Sequence, residues 1–174
     1  MKINKIIFLI GMMGAGKTSV GEKLSAELKV DFLDLDKFIE EQTAMTIAEL
    51  FNRMGEDSFR SIEKEALRNV TNKYPKSVIA CGGGTPCFFD NIEFINATGI
   101  SFYLRVKPEV LYARITESKV IRPLINSEED KLALIKKLLE SRERYYSKSN
   151  YTIDTDQLNS NEVAEFIKSI ILPK

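Results

Sequence analysis

A five-residue apolar run that ends in a glycine-rich turn constrains this chain more than any other feature. Ile6-Ile7-Phe8-Leu9-Ile10 has no polar alternation, which is typical of a strand buried on both faces. Gly11-Met12-Met13-Gly14-Ala15-Gly16-Lys17-Thr18 follows directly and has the spacing G-x-x-x-x-G-K-[ST]. Apolar residues then recur at helical spacing from 20 to 28, which predicts a helix beginning at Lys17. This order of strand, glycine turn and helix predicts a site for the phosphates of a nucleotide.

The turn has the chemistry that phosphate groups require. Its glycines allow backbone amides to point inward around phosphate oxygens, and the following helix directs its positive end to the same place. Lys17 is expected to reach the β and γ phosphates, and the Thr18 hydroxyl is expected to hold Mg²⁺. The residues of this segment that we predict to bind the nucleotide are Gly14, Ala15, Gly16, Lys17, Thr18 and Ser19.

Strand-like runs alternate with helical patterns along the rest of the chain. Further strands are predicted at 30–35, 77–80, 100–104 and 151–153. Helices are predicted after a capping box at 46–49, after Pro108, over the apolar spacing 132–142, and after Ser160 as N-cap. The alternation predicts one α/β domain, residues 1–174, with a three-layer parallel five-stranded sheet and helices on both faces. We expect the polar segment at about 116–127 to be mobile.

Composition and charge exclude several classes of protein. The chain has no histidine and only two cysteines, Cys81 and Cys87, so histidine-dependent catalysis and zinc sites of histidine or four thiolates are excluded. Lysine plus arginine number 25 and aspartate plus glutamate number 25, which argues against binding nucleic acid or a membrane surface through bulk charge. No apolar run is long enough for a signal peptide or a membrane helix. We therefore expect a cytoplasmic protein with two free thiols; one disulfide between them is the alternative.

A nucleotide site alone does not distinguish a switch, a motor and a small-molecule kinase. A guanine-specific switch usually reads the base with Asn-Lys-x-Asp, and the nearest segment here, Asn72-Lys73-Tyr74-Pro75, lacks the aspartate. The chain is also short for a motor that carries its own actuator.

The charged residues near the predicted sheet edge are more informative. Asp34 and Asp36 lie two positions apart near the end of a predicted strand, where ligands bind in open α/β sheets. On an extended chain both side chains would point to one side, so one could serve Mg²⁺ through water and the other could contact an acceptor hydroxyl. Two solvated turn aspartates are the alternative. Arg60, Arg122 and Arg142, taken singly, each fit an ordinary surface arginine.

Together these residues resemble the shikimate kinase family, a member of the nucleoside-monophosphate-kinase-like P-loop group. The similarity follows the chain in order over nearly its whole length. Its specific parts are the triple glycine and the Gly-Glu-x-x-Phe-Arg segment. It covers the phosphate loop, Asp34-Leu35-Asp36, Gly55-Glu56-Asp57-Ser58-Phe59-Arg60, Gly82-Gly83-Gly84, Arg122-Pro123-Leu124 and Leu139-Glu140-Ser141-Arg142.

The resemblance implies a P-loop kinase with a lid segment at about 116–127. The implied reaction transfers the ATP γ-phosphoryl group to the 3-hydroxyl of shikimate, in the biosynthesis of aromatic amino acids. Lys17 and the loop amides would bind the ATP phosphates, and Thr18 and Asp34 would serve one Mg²⁺ ion, Asp34 through water.

The resemblance also implies how each substrate is held. Asp36 would contact the shikimate hydroxyls and act as the base for the attacking one. Arg60 and Arg142 would hold the shikimate carboxylate, and Gly82 and Gly83 would let the backbone approach the ring.

On the ATP side, the resemblance assigns two further arginines. Arg122 would close from the lid onto the phosphates, and Arg114 would lie beside the adenine. Asp154-Thr155 would lie near the second adenine-contacting segment.

The sequence departs from the family's usual pattern in two places. The family usually reads Arg-x-Pro-Leu-Tyr, but here the segment is Arg142-Glu143-Arg144-Tyr145-Tyr146, so the helix is expected to run on through Arg144. Cys81 precedes the triple glycine, where a small or hydroxylated residue is common. We interpret Cys81 as a packing residue, with a catalytic thiol as the remote alternative.

Several functions fit the same residues. A kinase for another small polyol acid such as gluconate would use Arg60, Arg142 and Asp36 in the same way. A nucleoside monophosphate kinase usually has proline before the second loop glycine, where this chain has Met13. A non-catalytic ATP-binding module need not keep all of the charged residues. The expected partners are ATP and shikimate, and the expected state is a monomer.

Overall fold

The protein is described by a computed structural model that covers residues 5–117 and 131–173. Its centre is one parallel sheet with the strand order β2-β3-β1-β4-β5. All of its pairings are parallel, so helices must connect the strands. The strands are β1 (Ile6–Ile10), β2 (Asp31–Asp34), β3 (Ser77–Ala80), β4 (Gly99–Arg105) and β5 (Tyr151–Asp154).

The fully apolar strand β1 lies in the middle of the sheet. It pairs with β3 on one side and β4 on the other, and every one of its residues is buried. The burial explains the absence of polar alternation in its sequence. The chain goes to the β2–β3 side after β1 and then crosses to the β4 side, so the carboxyl end of β1 is the switch point where ligands bind in such sheets.

Helices cover both faces of the sheet, which confirms the predicted fold class. Among them, α1 packs on α7, α2 on α3 and α5 on α6. They are α1 (Lys17–Leu28), α2 (Leu35–Thr43), α3 (Ile47–Lys73), α4 (Asn91–Thr98), α5 (Pro108–Glu117), α6 (Lys131–Tyr146) and α7 (Ser160–Ile171).

The ends of the helices test the sequence predictions closely. The capping box at Thr46 is present, because Thr46 and Glu49 bond to each other's backbone amides. Ser160 was a wrong prediction for the last cap. Asn159 is the N-cap instead, and its side chain accepts from the amides of Asn161 and Glu162. Asparagine is as good a cap as serine, so the motif was displaced by one residue rather than absent.

Helix α3 is broken at one position. Gly55 has φ 77° and ψ 171°. This backbone conformation is not helical, and residues other than glycine rarely adopt it. The helix therefore changes direction between Phe51 and Phe59, whose rings lie 4.4 Å apart. On a straight helix, residues eight positions apart would be separated by about 12 Å along the axis. The kink thus brings two aromatic side chains together.

Other sequence expectations have clear outcomes. Both cysteines are free thiols, and burial raises the pKa of the Cys81 thiol, as expected for a packing residue. Helix α6 runs through Arg144, as the missing proline suggested. Within the described ranges no helix combines the length and the apolarity needed to cross a membrane. The predicted lid lies outside the described residues except for 116 and 117, which end α5.

The start of β4 provides a test of the packing between strands. A Cβ added at Gly99 would lie 2.4 Å from the carbonyl oxygen of Ile6 and 2.7 Å from the Phe8 ring. Gly99→Ala should therefore lower the free energy of unfolding by about 1–3 kcal/mol, because the neighbouring strand must shift. Urea denaturation would measure the change. Thr98→Ala, at the exposed preceding residue, is the control, and equal stability of Gly99→Ala and the wild type would contradict the prediction.

Candidate active site

Segments that follow three neighbouring strands meet at the carboxyl edge of the sheet. The register aligns Ala80 with both Leu9 and Asp34, so β1, β2 and β3 end at the same level. The amide of Cys81 bonds to the carbonyl oxygen of Leu9 at 3.0 Å and ties the next turn to β1. The glycine loop, the Asp34 segment and the triple glycine are therefore neighbours in space.

The loop after β1 has the conformation that phosphate binding requires. Gly14 and Gly16 have φ values of 82° and 89°, in the left-handed region. Gly16 is the N-cap of α1 and provides no side-chain cap. The first-turn amides of α1 therefore have no side-chain cap, and uncapped amides at a helix N-terminus are able to bind an anion. Ala15 is buried within the loop, and Ser19 is exposed at the start of the helix.

Lys17 connects the two sides of this loop. Its Nζ donates to the carbonyl oxygens of Gly11 at 2.9 Å and Met12 at 2.8 Å. The side chain therefore lies folded against the loop that it is expected to serve.

Thr18 and Asp34 form the oxygen pair predicted for Mg²⁺. The Thr18 hydroxyl donates to Asp34 Oδ2 at 2.8 Å. The described residues contain no group of three or more acidic, cysteine or histidine side chains that could hold a metal alone. Two hard oxygens beside a phosphate site nevertheless fit Mg²⁺, which binds few protein ligands and completes its shell with phosphates and water.

Asp36 lies near this pair, but its backbone conformation differs from the predicted one. Both aspartates were expected on an extended chain, but Asp34 ends β2 and caps α2, and Asp36 is in the first turn of that helix. Burial raises the pKa of Asp36 to about 7, and the nearby carboxylates of Glu63 and Asp34 add to the rise while Lys17 opposes it. The site thus contains a carboxyl group that titrates near neutral pH, which suits a proton acceptor.

Arg60 is a buried residue of the site and not a surface arginine. It is 4% exposed, and its Nη1 donates to Glu63 Oε2 at 2.8 Å. Its Nε and Nη2 donate to Glu56 Oε1 at 3.3 and 3.1 Å. Glu63 is 1% exposed and also accepts from the Thr85 hydroxyl at 2.6 Å. Arg60 is therefore held by two carboxylates of its own helix.

Arg142 is buried too, but in a different electrostatic state. It is 8% exposed, and its Nη1 lies 3.6 Å from the sulfur of Met12. Among the described residues no carboxylate forms an ion pair with it. A buried guanidinium without a carboxylate is costly unless an anion binds beside it. By contrast, Arg144, two residues later, is exposed.

The triple glycine lies between these groups because it has no side chains. A Cβ at Gly82 would lie 2.7 Å from Asp36 Oδ1, and one at Gly84 would lie 2.5 Å from Arg60 Nη2. A Cβ at Gly83 would lie 3.3 Å from Arg142 Nη1 and from the Met13 amide of the phosphate loop. The turn thus contacts Asp36, Arg60 and Arg142 and leaves the phosphate loop adjacent.

The two segments predicted near the adenine also come together. Arg114 Nη2 donates to the carbonyl oxygen of Thr155 at 3.2 Å. Asp154 bonds instead to Arg105, at the exposed end of the sheet. Arg122 lies outside the described residues.

Four residues of the site were missed by sequence reasoning. Glu63 could have been found, because it lies three residues after Arg60 on one face of a helix. Thr85 follows the triple glycine directly, but nothing in the pattern indicated its bond to Glu63. Phe88, near Arg60, and Tyr146, whose hydroxyl donates to the carbonyl oxygen of Gly83, gave no signal.

Comparisons with known proteins agree with this geometry. The sequence model of the shikimate kinase family matches residues 13–171. A shikimate kinase from Bacteroides fragilis is 43% identical over 161 residues, which cover 91% of this chain and 89% of the relative. One from Phocaeicola vulgatus is 43% identical over 154 residues, with 87% of each chain covered.

Solved structures give the same result. The crystal structure of shikimate kinase from Bacteroides thetaiotaomicron has a TM-score of 0.89 and 37% identity, and the match covers 96% of this chain and 98% of that one. Shikimate kinase from Acinetobacter baumannii in complex with shikimate has a TM-score of 0.91 and 36% identity, with coverage of 98% and 94%. The sequence and the fold are thus those of a known group of enzymes, and this chain belongs to the shikimate kinase family.

Proposed function

We propose that this chain transfers the γ-phosphoryl group of ATP to the 3-hydroxyl of shikimate and releases shikimate 3-phosphate and ADP. Membership of the family supports the reaction and the acceptor, and it places the reaction in aromatic amino-acid biosynthesis. The observation that carries the proposal is Arg142, a buried guanidinium without a carboxylate partner among the described residues. It lies beside the phosphate loop, where a carboxylate-bearing acceptor would complete the charge balance.

ATP is held by the loop between β1 and α1. The amides of Gly14, Ala15 and Gly16 and the end of α1, including Ser19, surround the phosphates. Lys17 leaves the loop carbonyl oxygens and turns toward the β and γ phosphates.

Two arginines complete the ATP side of the proposal. Arg114 lies beside the adenine near Thr155. Arg122, in the lid proposed at about 116–127 of the single domain 1–174, would also bind the phosphates, and it lies outside the described residues.

Thr18 and Asp34, whose side chains are hydrogen-bonded to each other, would hold Mg²⁺, Asp34 through water. When bound with ATP, the ion neutralises phosphate charge, which is a main source of catalysis in phosphoryl transfer. The hydrogen bond between the Thr18 hydroxyl and one oxygen of Asp34 supports this assignment.

The acceptor lies between the triple glycine and the two arginines. Arg142 and Arg60 bind its carboxylate, and Gly82 and Gly83 allow its ring to approach the backbone. Asp36 accepts the proton of the attacking hydroxyl, a role that fits a carboxyl group titrating near neutral pH. We place this reaction in the cytoplasm, in a monomer that binds no nucleic acid and no membrane.

The direct test is ADP release by the purified protein with ATP and Mg²⁺, assayed with shikimate, gluconate, nucleoside monophosphates or no acceptor. Shikimate-dependent turnover of about 1–100 s⁻¹ is expected for a kinase. Turnover with gluconate or a nucleoside monophosphate alone would reassign the acceptor. ATP binding without turnover would indicate a non-catalytic module.

Replacing Arg142 should affect the acceptor and leave ATP unaffected. Arg142→Ala removes a charge-assisted hydrogen bond worth about 1.5–3 kcal/mol, so the shikimate KM should rise roughly 10- to 100-fold. The ATP KM should change less than twofold. Steady-state kinetics with each substrate varied would measure both. Arg144→Ala, at an exposed arginine of the same helix, is the matched control, and an unchanged shikimate KM in Arg142→Ala would remove Arg142 from the site.

Replacing Asp36 should separate activity from stability. The pKa of Asp36 is raised to about 7, so between about pH 4 and pH 7 the folded protein keeps a proton that the unfolded chain releases. Its stability therefore falls as pH rises through this window. Asp36→Asn should lose most turnover. Its free energy of unfolding should nevertheless be about 1–3 kcal/mol higher than that of the wild type at pH 8, and the increase should be smaller at pH 5.

Activity assays and urea denaturation at the two pH values would test Asp36→Asn. Asp57→Asn, at an exposed aspartate of α3, is the control for removing one charge. Near-normal kcat would contradict the role as base. Lower stability of Asp36→Asn at pH 8 would show that the ionised carboxylate supports the fold.

A further inference from the structure

The guanidinium of Arg60 is enclosed by aromatic rings. Its Cζ lies 4.2 Å from the ring centroid of Phe88, 5.1 Å from that of Phe59 and 5.6 Å from that of Phe51. Phe51 and Phe59 belong to α3, as Arg60 does, whereas Phe88 comes from the turn after β3. Phe88 is the nearest of the three and the one contributed by a separate segment.

Little freedom remains for this guanidinium. Its edges are bonded to Glu63 and Glu56. Gly84 lies so close that a Cβ there would be 2.5–2.7 Å from Nη2, Nη1 and Cζ. The Phe88 ring therefore completes the enclosure of a group that is already bonded along its edges.

The turn that carries Phe88 has an unusual backbone. Phe89 has φ 53°, a left-handed conformation that aromatic residues rarely adopt. The turn is held closed by Asn91, whose Nδ2 donates to the carbonyl oxygen of Thr85 at 2.9 Å and whose amide donates to that of Phe88 at 3.3 Å. Arg68 in turn donates to Asn91 Oδ1 at 3.0 Å. Backbone strain that the surrounding contacts maintain in this way often occurs where the orientation of a nearby side chain matters for function, here that of Phe88.

The charges around Arg60 explain why the orientation of its guanidinium matters. Two carboxylates already pair with it, and one of them, Glu56, has a side chain that is 51% exposed. The formal charges of Arg60, Glu56 and Glu63 therefore sum to −1, so net charge does not draw a third carboxylate to Arg60. Binding depends instead on the guanidinium staying desolvated and correctly oriented. An aromatic face does both, because it excludes water and attracts the cation.

We infer that Phe88 is a positioning residue that fixes Arg60 for the acceptor's carboxylate and so determines acceptor affinity. This inference rests on the proposed function, in which Arg60 contacts that carboxylate. Phe88 acts through Arg60 and has no role on the ATP side.

The test is Phe88→Leu, which keeps an apolar side chain and removes the ring. The shikimate KM should rise roughly three- to tenfold, the range expected for a partly buried cation–π contact. The kcat and the ATP KM should stay within twofold of wild type. Phe88→Tyr, which restores an aromatic face, should return the shikimate KM to within twofold of wild type.

Phe94→Leu is the matched control. The Phe94 ring, on α4, lies 4.4 Å from the guanidinium of Arg68 and so forms an equivalent cation–π contact. Neither residue is among those proposed to bind the acceptor. The shikimate KM of Phe94→Leu should not change. In an Arg60→Gln background, checked for folding by thermal unfolding, Phe88→Leu should add less than twofold to the shikimate KM.

The outcomes separate the inference from the proposed function. Absence of shikimate-dependent turnover in the wild type would overturn the proposed function. Normal wild-type turnover with an unchanged shikimate KM in Phe88→Leu would overturn the inference alone. The inference would also be overturned if Phe88→Leu changed both KM values, kcat and the melting temperature together, because that would indicate a packing role only. Failure of Phe88→Tyr to restore the shikimate KM would have the same meaning.

Discussion

The absence of side chains at three consecutive positions is the constraint on which this site depends. Gly82, Gly83 and Gly84 follow β3, the strand beside the central strand β1. A Cβ at Gly82 or Gly84 would overlap a carboxyl group of α2 or a guanidinium of α3, and a Cβ at Gly83 would crowd a guanidinium of α6. Those helices are distant in sequence, and only a bare backbone lets all of them reach one point. The phosphate loop can then lie against the same turn.

Around that turn, the two arginines have complementary electrostatic roles. Arg60 is paired with two carboxylates, Glu63 and Glu56, whereas Arg142 forms an ion pair with no carboxylate among the described residues. Under the proposed function, an incoming carboxylate would meet one guanidinium without a carboxylate partner and one whose donors are already oriented. Glu63 also raises the pKa of Asp36, so the carboxylate that orients an arginine also tunes a carboxyl group nearby. Removing a member of such a network affects its neighbours as well as its own contact.

The sequence predicted best what depends on contiguous residues. The phosphate loop and the Thr46 capping box follow from local backbone chemistry, and both are present. Asp36 was placed on an extended chain because an aspartate can equally end a strand or cap a helix, and Asp34 does both. The burial of Arg142 depends on distant elements, so no spacing revealed it. Phe88 and Tyr146 entered no pattern, because their partners are far away in sequence.

The kink at Gly55 shows how local regularity and function can conflict here. By helix propensity alone, alanine at this position would be the better residue, since glycine weakens a helix interior. A continuous helix would, however, move Phe51 about two turns away from Phe59 along the axis and separate rings that now lie 4.4 Å apart. The enclosure of Arg60 would then lose Phe51, one of its two α3 rings. Under the proposed function, a more regular α3 would therefore weaken the surroundings of an arginine that binds the acceptor, so helix stability and acceptor binding place opposite demands on residue 55.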